Sequence, residues 1–491
     1  MARKSGRHRA HKIAFAVLTV FAIAGLSPGR LLAHGTLKSS VPSKGAHLGV
    51  APRELRLTFT ERPELPFTRI QLLGPDSAVV LLGSLRLDSA TTVVADIRGP
   101  LRAGTYTVVW QVASADGHPV RGRFSFTIAP GAAGLGAAPQ ALGEPGARVV
   151  APDREAQAAE HHSAVSLPNG EGFGAGSPVY VAIRWLGFAA LLVVLGAVAF
   201  YWVVLGVLRR RAPPDRTNAF VPLATTRSAT LGAAASLVLA LTAIARLLAQ
   251  SYAMHGAAGM LDTGLVGSMV SSTVWGWGWL LQVAAVTVAF AGFFAARRGR
   301  IRGWTLAALG ALALAFAPAL SGHAASTPQL TGLAVVSDGL HILGAGGWLG
   351  SLLVVLVAGI PAALRTGGSS SGRAVADLVN AFSPTALAFA GLVAATGVIA
   401  ASLHLGSVPA LWQSGYGRTL LLKLAILSIV VATGAYNWRR VRPALGDGEG
   451  ARRIRRSASA ELAVGVLVLI VTAVLVAMPT PMEPAEMSAM R

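Results

Sequence analysis

The chain has 491 residues, of which 53% are hydrophobic and only 13% charged. That balance excludes an ordinary soluble domain and points to a membrane protein. The net charge of +21 would suit a nucleic-acid binder, but the arginines fall in short stretches between apolar runs of bilayer-crossing length, so the partner is the lipid bilayer and not nucleic acid. Cysteine is absent, which rules out disulfides and thiolate metal sites and leaves His, carboxylate, Met and backbone groups as donors.

Residues 1–33 join a basic start (Arg3, Lys4, Arg7, Arg9, Lys12) to an apolar stretch from Ile13 to Leu26 and a small residue, Ala33. This reads as a secretory signal cleaved after Ala33, the rival being an uncleaved first helix. Residues 34–129 carry short strand-like runs divided by turn residues: ELRLTFT, FTRIQLLG, TTVVADI, GTYTVVWQVAS and VRGRFSFTI. In the last, Phe124, Phe126 and Ile128 share one face while Arg123, Ser125 and Thr127 take the other. A secreted all-β Greek-key sandwich or barrel is expected. Residues 130–177 turn to Gly, Ala, Pro and scattered charge with no period, the composition of a flexible linker, and His161 and His162 within it are read as solvated.

Eight apolar runs follow, near 179–208, 224–250, 273–296, 303–320, 332–360, 380–403, 418–437 and 458–478. They predict an all-α polytopic bundle of about eight helices over 178–480, with a tail at 481–491. Basic residues follow the odd-numbered runs: Arg209, Arg210, Arg211 and Arg216; Arg297, Arg298, Arg300 and Arg302; Arg365 and Arg373; and seven arginines from Arg439 to Arg456. The positive-inside rule then puts those loops in the cytoplasm and the β-domain and C-terminus outside a cell membrane, the side a secretory signal also demands.

With that topology, none of the eleven histidines lies in a cytoplasmic loop. His34, His47, His118, His161 and His162 are secreted; His255, His323, His341 and His404 lie at or near the outer ends of spans. Met254, Met260, Met269, Met478, Met482, Met487 and Met490 gather at the same face. Imidazole and thioether together suit copper in either oxidation state.

HGTLKSSVPSKGAHL, at the predicted mature start, and YTVVWQVASADGHPVRGRFSFTI together resemble the CopC family of secreted copper-binding proteins, over nearly all of 34–129. The resemblance implies a Cu(II) site formed by the N-terminal amine and imidazole of His34 with Asp116 and His118 of the Asp-Gly-His-Pro turn. An N-terminal His offers two nitrogens in one chelate, and a second imidazole with a carboxylate completes the tetragonal N,O set that Cu(II) prefers. The β-domain has no methionine, unlike CopC proteins with a Met-rich Cu(I) site, and His47 is read as a solvated turn residue.

SGHAAS at 321–326, SDGLHILGAGGWLGSL at 337–352 and YGRTLLLKLAIL at 416–427 resemble the CopD family of inner-membrane copper proteins, as do FSP at 382–384 and Asn437 more weakly. CopC and CopD regions are known to occur fused, and the implied activity is copper movement across the membrane or its acquisition there. Asp338 and His341 are three apart and share a helix face, and ionisable residues inside a span usually face the bundle interior. His341, with His323 one short loop away, is the candidate copper entry, and Gly344, Gly346 and Gly347 permit close helix approach.

Arg184, Arg246 and Arg418 are read as snorkelling. Lys423 is deeper and calls for a carboxylate partner that the sequence does not identify. No nucleotide-binding loop is present, so no ATP-driven pump is expected, nor any catalytic residue. The expected function is copper capture outside and import. Copper buffering for tolerance and a haem- or copper-bearing redox protein are the alternatives. An extracytoplasmic copper chaperone is the protein partner this reading admits.

Overall fold

A computed structural model describes residues 37–60, 62–113, 119–133, 177–320, 331–405, 407–441 and 448–478. The signal segment, His34, Asp116, His118, His161, His162, His323 and the C-terminal tail lie outside the described residues. The chain divides into two compact units, one of them His34–Gly170 and the other containing Glu171–Arg491.

The first unit is a two-sheet sandwich. One sheet has the order β1 (Leu37–Val41), β3 (Glu54–Phe59), β7 (Thr92–Asp96), β6 (Arg86–Leu87). The other runs β2 (His47–Val50), β9 (Pro119–Ala133), β8 (Gly104–Ala113), β4 (Arg69–Leu73), β5 (Val79–Val80). Alternation decides which faces meet: in β3, Leu55, Leu57 and Phe59 point inward while Glu54, Arg56 and Thr58 point out. They meet Tyr106, Val108, Trp110 and Val112 of β8 and Phe124, Phe126 and Ile128 of β9 in one core.

Phe59 meets Trp110 edge-on at 5.3 Å, and Tyr106 stacks on Phe126 at 5.6 Å. Gly122 is required beneath the indole, because a Cβ there would lie 2.6 Å from Trp110 Cε2. The five strand-like runs of the sequence became β3, β4, β7, β8 and β9. His47 opens β2 and is not in a turn, but its side chain is exposed as expected.

Among the described residues the second unit has eight helices long and apolar enough to cross a membrane. We number them α1 (Pro178–Arg211), α2 (Pro214–Gly259), α3 (Val274–Arg297), α4 (Arg302–Leu320), α5 (Gly332–Thr366), α6 (Ser370–Leu405), α7 (Gly415–Arg439) and α8 (Arg453–Leu475). Here the structure corrects the sequence reading. Arg209–Arg211 close α1, Arg216 lies in the first turn of α2, and Arg297 and Arg302 sit on helices, so much of the basic charge is on helix ends rather than in loops. Cations at a C-terminal helix end are favoured by the macrodipole. Arg216 pairs with Asp377 of α6 at 3.0 Å, which ties two of these ends together.

Helices α1 and α5 are the inner pair, whereas α6 and α7 are exposed along their most apolar stretches. Small residues set the closest approaches: a Cβ on Gly350 of α5 would come within 2.8 Å of the Leu192 carbonyl carbon of α1, and one on Gly310 of α4 within 2.6 Å of Ala289 N of α3. At the basic end Tyr201 stacks on Trp304 at 4.1 Å. Among the described residues π-helical turns occur at Phe200–Val204, Gly346–Gly350, Val355–Gly359 and Asn437–Val441. Such turns re-aim side chains and are frequent at functional sites.

Candidate functional site

In the β unit, the predicted ligands His34, Asp116 and His118 fall outside the described residues, but their frame is defined. The β8–β9 register runs unbroken to Ala113 opposite Pro119, so residues 114–118 are the connection that closes this hairpin. Two pairs back from the turn, Arg121 Nε donates to Gln111 Oε1 at 2.8 Å, and Arg69 of β4 stands opposite Gln111. Burial first, and then the neighbouring Arg69, push the Arg121 guanidinium below its ordinary pKa.

In the helical unit the structure gives His341 a definite neighbourhood. Its Nδ1 lies 3.0 Å from Thr396 Oγ1 on α6, with the Val393 carbonyl also in reach. The Thr396 hydroxyl donates its own proton to Leu392 O at 2.7 Å, so towards His341 it acts as acceptor. The Thr396 hydroxyl so placed favours the tautomer with the proton on Nδ1, which leaves the Nε2 lone pair available to a metal. A Cβ on Gly397 would sit 3.4 Å from His341 Cε1, so glycine there leaves the ring its space.

Asp338, one turn nearer residue 332 on α5, acts electrostatically on both Lys423 and Tyr416 of α7, and Lys423 in turn on His341. Asp338 is the carboxylate the sequence left unassigned for Lys423. Three helices thus contribute Asp338, His341, Thr396, Tyr416 and Lys423 to one polar cluster between apolar faces. Sequence reasoning missed Thr396 because a threonine in an apolar run carries no distinguishing signal.

A second cluster lies towards the basic end. Glu461 of α8, 7% exposed, accepts from Asn437 Nδ2 at 3.3 Å and from the Trp348 side chain of α5. Asn437 stood in the sequence pattern, whereas Glu461 was overlooked, although an acidic residue in an apolar run is itself a signal.

The other histidines and methionines are also placed. His255 is buried with its Nδ1 3.3 Å from Ser251 Oγ, and Met254 and Met269 are buried with it at the same end of the bundle. Met478 Sδ accepts from Thr419 at 3.4 Å. His404 Nδ1 donates to the Ala400 carbonyl at 2.6 Å.

Although among the described residues no three His or carboxylate groups converge, a small β-sandwich ahead of eight helices of membrane-crossing length defines a two-part membrane protein with imidazole and thioether groups towards one end of its bundle. Comparison with known proteins specifies which. Residues 37–129 match the CopC domain, residues 175–333 the copper resistance protein D-like N-terminal domain, and residues 376–475 copper resistance protein D. The copper transport protein CutJ of Bacillus subtilis is 25% identical over 467 residues, covering 93% of this chain and 76% of CutJ. Copper resistance protein C of Escherichia coli is 33% identical over 125 residues, 23% of this chain and 94% of that protein. Copper resistance protein D of Pseudomonas syringae pv. tomato is 28% identical over 317 residues, 60% of this chain and 94% of its own length. The chain belongs to the copper resistance and transport family, as a fusion of CopC and CopD regions.

Proposed function

We propose that the protein captures copper outside the cell membrane and passes it inward through the helical bundle. The β unit binds one Cu(II) through the amine and imidazole of His34, exposed by signal cleavage, with Asp116 and His118. The β8–β9 pairing supports this, since its register runs to Ala113 opposite Pro119 and so brackets Asp116 and His118 in the chain between two paired strands. The basic helix ends face the cytoplasm, which puts the β unit, the C-terminus and the His341 end of α5 outside.

The observation that carries the transport reading is the His341–Thr396 contact, which leaves Nε2 as a free donor inside a span, beside a polar cluster that three helices share. A metal-ready imidazole at that depth has little use in a protein that only buffers copper outside. His323, in the neighbouring matched motif, is the second entry ligand.

Cells given limiting copper test the reading. Wild type should accumulate more copper than His341→Ala or His323→Ala at matched membrane expression, while all three retain Cu(II) in the β unit. Unchanged accumulation, with tolerance to excess copper lost in His118→Ala, would replace import by buffering.

A further inference from the structure

Two arginines that the sequence presents as isolated snorkelling residues are held inside the bundle by neighbouring side chains. Arg184 lies six residues into α1 from Pro178, about 9 Å along the helix, and Gln282 lies eight residues into α3 from Val274, about 12 Å. Arg246 of α2 donates to Gln282 Oε1 at 3.1 Å. Arg184 Nη2 donates to the Tyr180 hydroxyl at 2.6 Å, its guanidinium 4.8 Å from that ring's centroid. Tyr180 is packed against Ala249 and Ala477, so the arrangement is held by α1, α2 and the end of α8. Ala249, three residues beyond Arg246 on α2, packs on the same Tyr180 that Arg184 bonds, which brings the two guanidinium groups into electrostatic range of each other.

Nothing on these helices offsets that charge. Helices α1 and α3 contain no Asp or Glu, and the acidic residue of α2, Asp215, lies at its opposite end. Among the described residues neither arginine makes an ion pair with a carboxylate. Arg184 Nε and the neighbouring Trp185 Nε1 are buried donors without a hydrogen-bond partner among the described residues. Burying like charges with unused donors is costly, and structures retain it where an acceptor completes the site.

We infer that Arg184 and Arg246, with Gln282, form a binding site for an anionic oxygen group, a carboxylate or phosphate, at the Pro178 end of the bundle between α1, α2 and α3. Planar guanidinium forks match such groups two oxygens at a time, which an ammonium does not. The depth below the helix end admits two sources: the headgroup of an anionic phospholipid in the adjacent leaflet, or a small oxyanion arriving from solution. The site shares no residue with the His341 cluster and does not depend on copper transport.

Thermal unfolding of the intact protein in a neutral detergent, at constant ionic strength in chloride, tests the site. The additives are phosphatidylglycerol in mixed micelles, inorganic phosphate, and citrate. Wild type should gain on the order of 5 °C at saturation with at least one of them. A gain with the lipid alone assigns a headgroup, and a gain with phosphate or citrate assigns a solution anion. Arg184→Gln and Arg246→Gln should lose the gain and Arg246→Lys should reduce it, whereas Arg418→Gln on α7 should keep it. If the glutamine variants do not fold, the wild-type titration and Arg246→Lys still decide. No gain over chloride in wild type, or an equal gain in the variants that fold, overturns the proposal.

Discussion

His341 Nδ1 and Thr396 Oγ1 stand 3.0 Å apart across the α5–α6 interface, and because that hydroxyl already donates to Leu392 O, it can only accept from the imidazole. One threonine therefore faces the ring of His341 and favours the tautomer that carries its proton on Nδ1. Thr396→Val should remove that acceptor while filling nearly the same volume. Copper affinity at the membrane site should fall by about 10- to 100-fold, as when other hydrogen bonds to a ligand histidine are lost. Thr396→Ser should keep wild-type affinity. Copper titration of the intact protein, with the β-unit site removed by His118→Ala, provides the measurement.

Asp338 and Lys423 act on each other between α5 and α7. Asp338→Asn or Lys423→Met alone leaves one charge uncompensated among apolar helices and should lower the unfolding temperature. The double variant should recover most of that. Thermal unfolding of all four forms gives the coupling, and additive losses would show that the two charges do not support each other.

Glu461 receives hydrogen bonds from Asn437 and Trp348. Glu461→Gln keeps an oxygen acceptor for one donor and should be tolerated. Glu461→Leu strands both donors and should cost about 1–3 kcal/mol for each. Comparing the unfolding temperatures of the two variants tests this directly, since both remove the charge and only one removes the acceptor.

In the β unit, burial raises the Glu64 pKa above its ordinary 4.5, and the nearby Arg62 opposes this. A raised folded-state value means that the folded form holds the proton more tightly. The resulting stability is fully present below the unfolded pKa and is lost as pH rises through the folded one. Glu64→Gln should therefore slow amide exchange of β4 and β8 in the intact protein at pH 7, and leave it unchanged at pH 3.5. A slowing of equal size at both values would mean that charge is not the cause.

What the sequence made legible follows from the physics of each element. β3 and β9 alternate cleanly because one face is buried and the other wet, so their period is visible in the residues. β5 and β6 are two residues each and cannot show a period, and β1 and β2 are mostly exposed. Every membrane span was legible from its apolar length. Helix ends were not, because α2 and α6 continue well past the lipid-length run and carry Arg216 and Asp377 into a shared ion pair. His341 was identifiable as an ionisable residue in a span. Thr396, the partner of Lys423, and the convergence of Arg184 with Arg246 depend on which helices are neighbours, which no local pattern encodes.

The proposed copper route through the bundle passes His341. The most direct measurement is radioactive copper flux into proteoliposomes that hold the intact protein with the β unit outside, under an inside-negative potential. Wild type should deliver copper to the lumen, His341→Ala roughly 10-fold less or lower still, and Cu(II) bound outside should be unchanged in both. Copper bound outside at full stoichiometry by wild type, with none reaching the lumen, would contradict that route.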